Sequence, residues 1–506
     1  MTTPSHSHRG ADEPISPPPG CPAHGLGPGG LRRLYGSEAE SDLAGIYEKL
    51  RAEHGSVAPV LVHDDVPMWA VIGHTETLHM LRTRSHFTRD SRRMRVVQDG
   101  TFAPDNPLAP MVTWAPLISF AEGAEHQRVR GAINDALSTI DDRGLRRFIH
   151  RSSQRLVNEF CEKGTADLVS QFAEHLPMAV MCEVLGMPDE YNERLVQAGR
   201  DMTKGTATAV ESNEYVMSVL YRHTARRRAQ PEEDFTSRLI AHPAQLTDDE
   251  VAQNLRVVLI AAYEGTANLM ANVLRMVLTD PRFRAQLNGG QMTVPEAIEQ
   301  SLWDEPPMNA QVGYVATEDA ELGGQRIKAG DGIMYVIAAG NLDPVIRPDL
   351  KASMAGNRAH LAFGGGPHEC PGQDIARSIA DVGVDALLMR LPDAELAVDE
   401  KELRWRQTLI ARHLVDLPVM FTPRPPQDVK LRPTMGRVPS PRKEWEVSSP
   451  PPRPQATSPA AAVPAQASAA ERSDQPLVAT PPPSPTGEGE RPKGALQRLL
   501  RWWRGY

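Results

Sequence analysis

A glycine-rich segment that leads to a cysteine is the part of this sequence best suited to chemistry. It reads H-L-A-F-G-G-G-P-H-E-C-P-G-Q-D-I-A-R over residues 360–377, with three consecutive glycines ahead of Cys370. Pro371 and Gly372 then lead into a predicted helix, whose dipole and free N–H groups favour the thiolate form of the cysteine. A soft thiolate suits a metal ion, and haem iron is one known partner. An inert buried cysteine behind a flexible loop explains the spacing equally well.

Ten of these residues, F-G-G-G-P-H-E-C-P-G, resemble the haem-binding loop of the cytochrome P450 family, F-x-x-G-x-H/R-x-C-x-G. The defining positions are matched by Phe363, Gly366, His368, Cys370 and Gly372. The resemblance implies a haem b cofactor in which Cys370 is the proximal thiolate ligand of the iron. It also implies that His368 pairs with a haem propionate, and that Phe363 packs near the haem.

A second segment, A-E-G-A-E-H-Q-R-V-R-G at residues 121–131, resembles the H-x-x-x-R segment of the same family. The resemblance implies that His126 and Arg130 hold haem propionates. Their i, i+4 spacing places both side chains on one helical face, as recognition of shared carboxylates requires. Without the family, a surface histidine–arginine pair is the default interpretation of this spacing. The resemblance extends over residues 31–421.

The long apolar segment L-I-A-A-Y-E-G-T-A-N-L-M, residues 259–270, resembles the family's A-G-x-E-T-T-A-N-L helix with one departure. Glu264 keeps the acidic position of the family's acid–alcohol pair, which delivers protons for oxygen activation. The alcohol position is Gly265, and a hydroxyl follows only at Thr266, about 100° further round a helix. We predict that Glu264 and Thr266 serve proton delivery, with Gly265 leaving room for water or a substrate hydroxyl. A buried acid paired with a neighbour is the alternative.

A second departure lies in A-I-E-Q-S-L-W-D-E-P-P, residues 297–307. Gln300 and Trp303 stand where the family's E-x-x-R ion pair belongs, and E-Q-S-L-W is similar to the variant of a small actinobacterial subgroup. Glu299 is one residue out of register and is not expected to take over. Packing by Trp303 is expected to replace the ion pair, since an apolar substitute for a buried pair can be neutral or better. Tyr314 stands where relatives place a propionate-binding arginine.

Hydrophobic periodicity predicts the elements that position these residues. Predicted helices cover residues 125–137, 148–161, 176–185, 248–278, 294–302 and 373–391. Predicted strands cover 59–62, 68–72, 332–337 and 417–421, so one or two small sheets are expected. The apolar stretch 257–278 contains charged residues and is predicted to be a buried helix rather than a membrane span. The expected fold is mainly α with small β-sheets, in the P450 arrangement that the resemblance implies.

Composition divides the chain into a body and a tail. Of the 45 prolines, 18 lie in residues 423–506, and residues 424–506 hold 13 Lys and Arg against 7 Asp and Glu, although the whole chain has a net charge of −9. The predicted organisation is a disordered segment 1–30, a haem domain 31–423, a Pro/Ala/Ser-rich disordered linker 424–492 and a short basic amphipathic helix 493–506. That helix is predicted to lie on an anionic membrane or dock on an acidic partner; a frayed tail is the alternative.

Charge and cysteine usage exclude several classes of protein. An acidic body argues against nucleic-acid binding, because its field repels phosphates. The four cysteines are widely spaced and the first thirty residues contain no apolar core of a secretory signal. Both features favour a reducing cytoplasm, with membrane association through the tail as an option.

The leading hypothesis is a soluble bacterial haem-thiolate monooxygenase that inserts one oxygen atom from dioxygen into a small organic substrate. No flavin or nicotinamide fingerprint is apparent in the chain, so the resemblance implies electrons from a separate ferredoxin and ferredoxin reductase. Arg128 and Arg377 are candidates for a basic docking patch, with solvated helix-face arginines as the alternative. The other hypotheses are a haem-binding sensor or interaction protein with little monooxygenase activity, and a peroxide-driven haem-thiolate enzyme.

Overall fold

Helices account for about half of the residues that this computed structural model describes. It describes residues 30–104, 106–188, 192–204, 208–280, 293–354 and 356–429. The predicted linker beyond residue 429 and the predicted C-terminal helix 493–506 lie outside the described residues, as does the predicted N-terminal segment up to residue 29.

The helices, numbered along the described chain, are α1 (Ser37–His54), α2 (His74–Arg82), α3 (Arg95–Gln98), α4 (Ala109–Val112), α5 (Gly123–Ser138), α6 (Asp142–Asn158), α7 (His175–Leu185), α8 (Asn192–Lys204), α9 (Ala209–Ala229), α10 (Phe235–Ala241), α11 (Asp248–Thr279), α12 (Val294–Asp304), α13 (Ile337–Asn341) and α14 (Gln373–Arg390). The strands are β1 (Arg32–Arg33), β2 (Val57–Val62), β3 (Val66–Val71), β4 (Phe87–Thr88), β5 (Thr165–Asp167), β6 (Ala310–Ala316), β7 (Ala320–Leu322), β8 (Gln325–Ile327), β9 (Gly332–Val336), β10 (Glu395–Leu396), β11 (Trp405–Gln407), β12 (Arg412–Leu414) and β13 (Pro418–Met420).

The longest helix, α11, runs through the core and contacts α7, α9, α12 and α14. It begins with a capping box, in which Thr247 accepts from the Glu250 N–H and the Glu250 carboxylate accepts from the Thr247 N–H. It is the one described helix that is long and apolar enough to span a membrane. Its burial against four other helices agrees with the predicted core helix, since core helices of soluble proteins pass the same test of length and composition.

Helix α14 follows the cysteine loop and is held close to the core. At Gly383 an added Cβ would lie 2.5 Å from Leu176 Cδ2 on α7 and 3.1 Å from Met270 Cε on α11. A larger residue at this position would require the Leu176 and Met270 side chains to move. The cysteine loop is therefore anchored at its C-terminal end to the centre of the molecule.

The main sheet has six strands in the order β1-β2-β3-β9-β6-β4. Strands β2 and β3 form an antiparallel hairpin, β9 pairs with β3 in parallel, and β6 pairs antiparallel with β9 across a bulge between Val312 and Tyr314. Strands β2 and β9 are buried along their whole length, which explains why their sequences are apolar at successive positions.

The helices and strands predicted from the sequence are confirmed to within a few residues, apart from 148–161, where α6 begins six residues earlier, at Asp142. The expectation of one or two small sheets is wrong, because the described residues form four sheets, of which one has six strands. The six-stranded sheet joins segments as distant as residues 32 and 336. Such long-range pairing leaves no signature in local periodicity.

Candidate active site

The loop around Cys370 is shaped by backbone hydrogen bonds and one glycine. The Cys370 N–H donates to the Phe363 carbonyl at 2.9 Å, which closes the loop on itself. Gly366 has a φ of +64°, and an added Cβ there would lie 2.2 Å from the carbonyl oxygen of Leu81 on α2. Both the backbone conformation and the close approach require glycine. The match of Gly366 to the family pattern therefore has a steric reason, which the sequence could not supply.

The Cys370 thiol lies at the start of α14 in an environment that suits a bound cation. Burial raises the pKa of Cys370, although the Gly372 N–H and the charges of Arg130 and Arg377 act in the opposite direction. A thiol of this kind is deprotonated when a metal ion coordinates it. The described residues contain no group of three or more His, Cys, Asp or Glu side chains that could hold a metal ion. One thiolate without further protein ligands suits a metal that brings its own ligands, as haem iron does.

His126, Arg130 and His368 come together beside this loop, as the resemblance implies. The rings of His126 on α5 and His368 on the loop lie 4.3 Å apart, centroid to centroid. Arg130 donates to the carbonyls of Pro367 at 3.3 Å and Glu369 at 2.6 Å, so it spans the loop next to Cys370.

Both imidazoles carry a buried nitrogen that lacks a hydrogen-bond partner, the Nε2 atom of His126 and that of His368. His368 Nε2 is 3.4 Å from Glu122 Oε1, without the geometry of a hydrogen bond. Burial, followed by the charges of His368 and Arg130, lowers the pKa of His126 to about 4, so its ring is neutral at pH 7. Unpartnered buried donors need acceptors. The two propionates of a haem meet that need, and these residues therefore fit the cofactor.

One basic residue near this site was missed by sequence reasoning. Arg89 is buried and its guanidinium lies 4.9 Å from the ring centroid of Tyr314. The Arg89 guanidinium donates to the carbonyls of Ser119 and Val312, and the Arg89 backbone N–H donates to the Glu122 carboxylate. By the family resemblance, Tyr314 stands where relatives place an arginine. In this structure the arginine beside it is Arg89, which directly follows β4. No local signal identifies Arg89, because it belongs to a different segment.

On α11, the residues predicted for proton delivery lie on different sides of the helix. Burial raises the pKa of Glu264 to about 7. A cavity of about 20 Å³, enough for one water molecule, is lined by Glu264 with Glu174, Tyr263 and His413 among others. An added Cβ at Gly265 would meet nothing within 4 Å, whereas Thr266 is only 3% exposed. The Thr266 side chain is therefore packed inside the protein, whereas no described protein atom lies beside Gly265.

The departure from the E-x-x-R pattern is filled by neutral hydrogen bonds to the segment that precedes the cysteine loop. Trp303 is fully buried, and its Nε1–H donates to the Asn357 carbonyl at 2.8 Å. Gln300 accepts from the Met354 N–H at 2.8 Å and donates to Asp304 at 2.8 Å. Packing by Trp303 is thus accompanied by directed hydrogen bonds.

Glu299 forms a buried ion pair that was not anticipated from the sequence, with a partner outside the E-x-x-R helix. Glu299 is buried and accepts from Arg377 at 2.6 Å and from His360 at 3.2 Å. A shift of one residue on α12 turns its side chain toward α14, where Arg377 supplies the charge. A buried ion pair therefore exists in this region, but it links two helices.

Arg128 and Arg377, the two candidates for a basic docking patch, both form ion pairs. Arg377 is 9% exposed and belongs to the cluster with Glu299. Arg128 forms ion pairs with Glu125 and Glu250. Arg377 is therefore not a solvated helix-face residue, whereas Arg128, whose side chain is 31% exposed, lies at the surface of α5 in ion pairs with two carboxylates.

Comparisons with known proteins identify the family. No protein-family model matches the chain. The mycinamicin IV hydroxylase/epoxidase of Micromonospora griseorubida is 30% identical over 341 residues, which are 65% of this chain and 85% of that protein. The nocardicin C N-oxygenase of Nocardia uniformis subsp. tsuyamanensis is 30% identical over 400 residues, 76% of this chain and 98% of that protein. The structure of CYP154A1 from Streptomyces coelicolor A3(2) superimposes with a TM-score of 0.67 at 26% identity, over 77% of this chain and 99% of that one.

The chain belongs to the cytochrome P450 family. P450s bind haem through a cysteine thiolate, and this chain is a P450 monooxygenase with the mainly helical fold of the family. The matches cover 85% to 99% of these relatives but only 65% to 77% of this chain. The tail beyond residue 429 lies outside the described residues. Membership of the E-Q-S-L-W subgroup stays a prediction.

Proposed function

We propose that Cys370 is the thiolate ligand of the haem iron and that His126, Arg130 and His368 hold the haem propionates. The observation that carries this proposal is the meeting of the half-buried Cys370 thiol with two imidazoles whose buried Nε2 atoms have no hydrogen-bond partner. Arg130 reaches the loop on both sides of His368 and contributes a permanent charge next to the thiolate. Phe363, Gly366 and Gly372 shape the loop that presents the sulfur.

The reaction we propose is insertion of one oxygen atom from dioxygen into a small organic substrate. The second oxygen atom leaves as water, which consumes two electrons and two protons for each substrate oxidised. When bound, the haem supplies the oxygen-activating and one-electron chemistry. The protein's own residues hold the cofactor, position the thiolate and deliver the protons.

We assign proton delivery to Glu264. Its pKa near 7 allows it to give up and regain a proton at neutral pH, which is the condition for an efficient general acid. The adjacent cavity has room for the water molecule that such a transfer needs. The role of Thr266 stays a prediction from the sequence. Because its side chain is only 3% exposed, the proposal does not route the proton through its hydroxyl.

Electrons come, in this proposal, from a separate ferredoxin and ferredoxin reductase in the cytoplasm. We propose helix α6 as the docking surface, in place of Arg128 and Arg377. This helix carries five arginines against one aspartate, and it packs against α14, which starts just after Cys370. Arg146 and Arg147 are 44% and 57% exposed, and although they pair with Asp381 and Asp141, the helix itself keeps a net positive charge. A row of exposed positive charges favours encounter with an acidic electron carrier.

A haem-binding sensor with little turnover is the second candidate. It is favoured by one observation, the absence of a hydroxyl at Gly265 together with the burial of the Thr266 side chain. A peroxide-driven enzyme draws on the same observation, because peroxide supplies its own protons. An association of the 493–506 segment with an acidic partner or an anionic membrane surface stays a prediction.

The experiment compares the wild type with Cys370→Ser and with Cys161→Ser. Reduced wild type under carbon monoxide should show the long-wavelength Soret band of a thiolate-ligated haem, which Cys370→Ser should lose. Cys161→Ser is the control, because Cys161 is a buried core cysteine whose sulfur has hydrogen-bond contacts with Arg390 and Asn158. Retention of the band in Cys370→Ser would overturn the ligand assignment. Coupled product formation with ferredoxin, reductase and a turned-over substrate would then exclude the sensor, and its absence across a substrate screen would favour it.

A further inference from the structure

A buried cluster of charged side chains joins three segments beneath the cysteine loop. Glu299 on α12 accepts from Arg377 Nε at 2.6 Å and Arg377 Nη2 at 3.3 Å. His360, from the segment before the loop, lies with Nε2 3.2 Å from the same carboxylate. The three residues are 5%, 9% and 6% exposed. Burial alone would raise the pKa of Glu299, but His360 and Arg377 bring it down to about 2, so the carboxylate is ionised.

The histidine is oriented by a second hydrogen bond. His360 Nδ1 accepts from the Ala362 N–H at 3.2 Å, which caps the turn at Leu361–Phe363. The hydrogen on the other ring nitrogen is then available to Glu299. The cluster therefore fixes the turn from which the cysteine loop starts.

Arg377 also contacts both ends of the loop. Its guanidinium lies 4.6 Å from the ring centroid of Phe363, whose carbonyl accepts from the Cys370 N–H. On its other side it donates to Gln373 at 3.0 Å, and Gln373 donates to Glu369 at 3.1 Å. One guanidinium thus bridges the residue that begins the loop and the residue next to the cysteine.

We propose that Arg377 is a positioning residue for the haem thiolate, which clamps the Cys370 loop between Phe363 and Gln373 and stabilises the negative charge on the ligand, with Glu299 as its counter-ion. This inference rests on the proposed assignment of Cys370 as the iron ligand. The electrostatic part has a direction. Arg377 packs on Phe363 and is linked through Gln373 to Glu369, so its charge lies beside the Cys370 loop. A cation near the ligand favours the ferrous over the ferric state.

The test measures the ferric–ferrous reduction potential, the reduced carbon monoxide spectrum and the unfolding midpoint of the holoprotein. Arg377→Gln should lower the reduction potential by about 59 mV, which for one electron corresponds to a tenfold change in the ferric–ferrous equilibrium. Glu299→Gln keeps the shape of the side chain and removes the counter-ion, so it should raise the potential. The opposite signs distinguish an electrostatic role from a loss of packing.

Arg390→Gln is the matched control. Arg390 is a buried arginine on the same helix, thirteen residues away, and it donates to Gln154 and Asn158 rather than to a carboxylate. It should lose stability and keep the wild-type potential. If Arg377→Gln loses stability with an unchanged potential, or if both glutamine variants of the ion pair shift the potential the same way, the clamp has no effect on the thiolate and the inference is wrong. If Arg377→Gln gives no soluble protein, the reduction potential of Glu299→Gln tests the proposal: a raised potential supports it and an unchanged or lowered potential contradicts it.

Different results contradict the role of Arg377 and the assignment of Cys370 as the iron ligand. Loss of the thiolate carbon monoxide band in wild-type protein, or its persistence in Cys370→Ser, contradicts the ligand assignment. A normal band in wild type together with an unchanged potential in Arg377→Gln contradicts only the role of Arg377.

Discussion

The Trp303 indole donates to the Asn357 carbonyl at 2.8 Å while its ring lies between His74 and His360. The indole therefore fills the volume of an arginine and provides one directed donor, but it carries no charge. The segment that leads to the cysteine loop is attached to α12 through this bond and through Gln300. Neutral partners can hold a buried junction as well as ions do, because they avoid the cost of removing charges from water.

Restoring the family pattern should therefore destabilise this protein. In the double variant Gln300→Glu with Trp303→Arg, the new carboxylate faces Asp304, to which Gln300 now donates, and the new guanidinium enters a fully buried site. We expect a loss of about 3–5 kcal/mol in the free energy of unfolding, measured by denaturant titration. Trp114→Arg, at a partly exposed tryptophan, should cost about 1 kcal/mol or less. A double variant as stable as wild type would contradict this account.

Gly366→Ala should disrupt the cysteine loop. The added Cβ would meet the Leu81 carbonyl at 2.2 Å in a backbone conformation with positive φ. We expect a cost of at least about 2 kcal/mol and a lower haem content per chain. Gly131→Ala is the control, because a Cβ there meets nothing within 4 Å in the middle of α5, and it should be neutral or slightly stabilising. Equal haem content in the two variants would argue against the steric role of Gly366.

A hydroxyl introduced at Gly265 should improve coupling. Gly265→Thr introduces a hydroxyl at the family's alcohol position, and no described protein atom lies within 4 Å of an added Cβ there, so we expect the variant to fold. We expect product formed per electron pair consumed to rise by on the order of tenfold if proton delivery limits turnover. Thr266→Val, which removes the buried hydroxyl at constant shape, should leave this ratio unchanged. The reverse outcome, with Thr266→Val inactive and Gly265→Thr unimproved, would place the working hydroxyl at Thr266.

Glu264 should make stability depend on pH with a known sign. Its pKa rises from 4.5 to about 7 on folding, so the folded state holds the proton more tightly. The stabilisation is complete below about pH 4.5 and is lost as the pH rises through 7, by at most about 1.4 kcal/mol per pH unit. The difference in free energy of unfolding between wild type and Glu264→Gln should therefore fall over that window. A difference that is flat with pH would contradict the raised pKa.

The start of the tail, residues 424–429, should contribute to stability. The Arg424 N–H donates to the Cys161 carbonyl at 2.8 Å, and Gln427 exchanges two hydrogen bonds with Asn158. Deletion of residues 424–506 should therefore lower the free energy of unfolding by about 1–3 kcal/mol relative to deletion of residues 430–506. Both truncated proteins should keep the haem spectrum. Identical unfolding curves would show that residues 424–429 are not part of the folded body.

Local relationships in this protein follow from the sequence alone. Phe363, His368 and Cys370 belong to one short loop, so their order along the chain already brings them together. His126 and Arg130 share a helical face because they are four residues apart. The helices and the first pair of strands are likewise readable from the spacing of apolar residues.

Only the tertiary structure decided which distant residues meet. Arg89 reaches Tyr314, and Arg377 reaches Glu299, across more than seventy residues of chain in each case. The same holds for the order of the six-stranded sheet. Periodicity determines the face on which a side chain lies, but the angles and register at which helices and strands pack determine its partner. A shift of one residue on α12 therefore did not abolish the buried carboxylate; it gave Glu299 a partner on another helix.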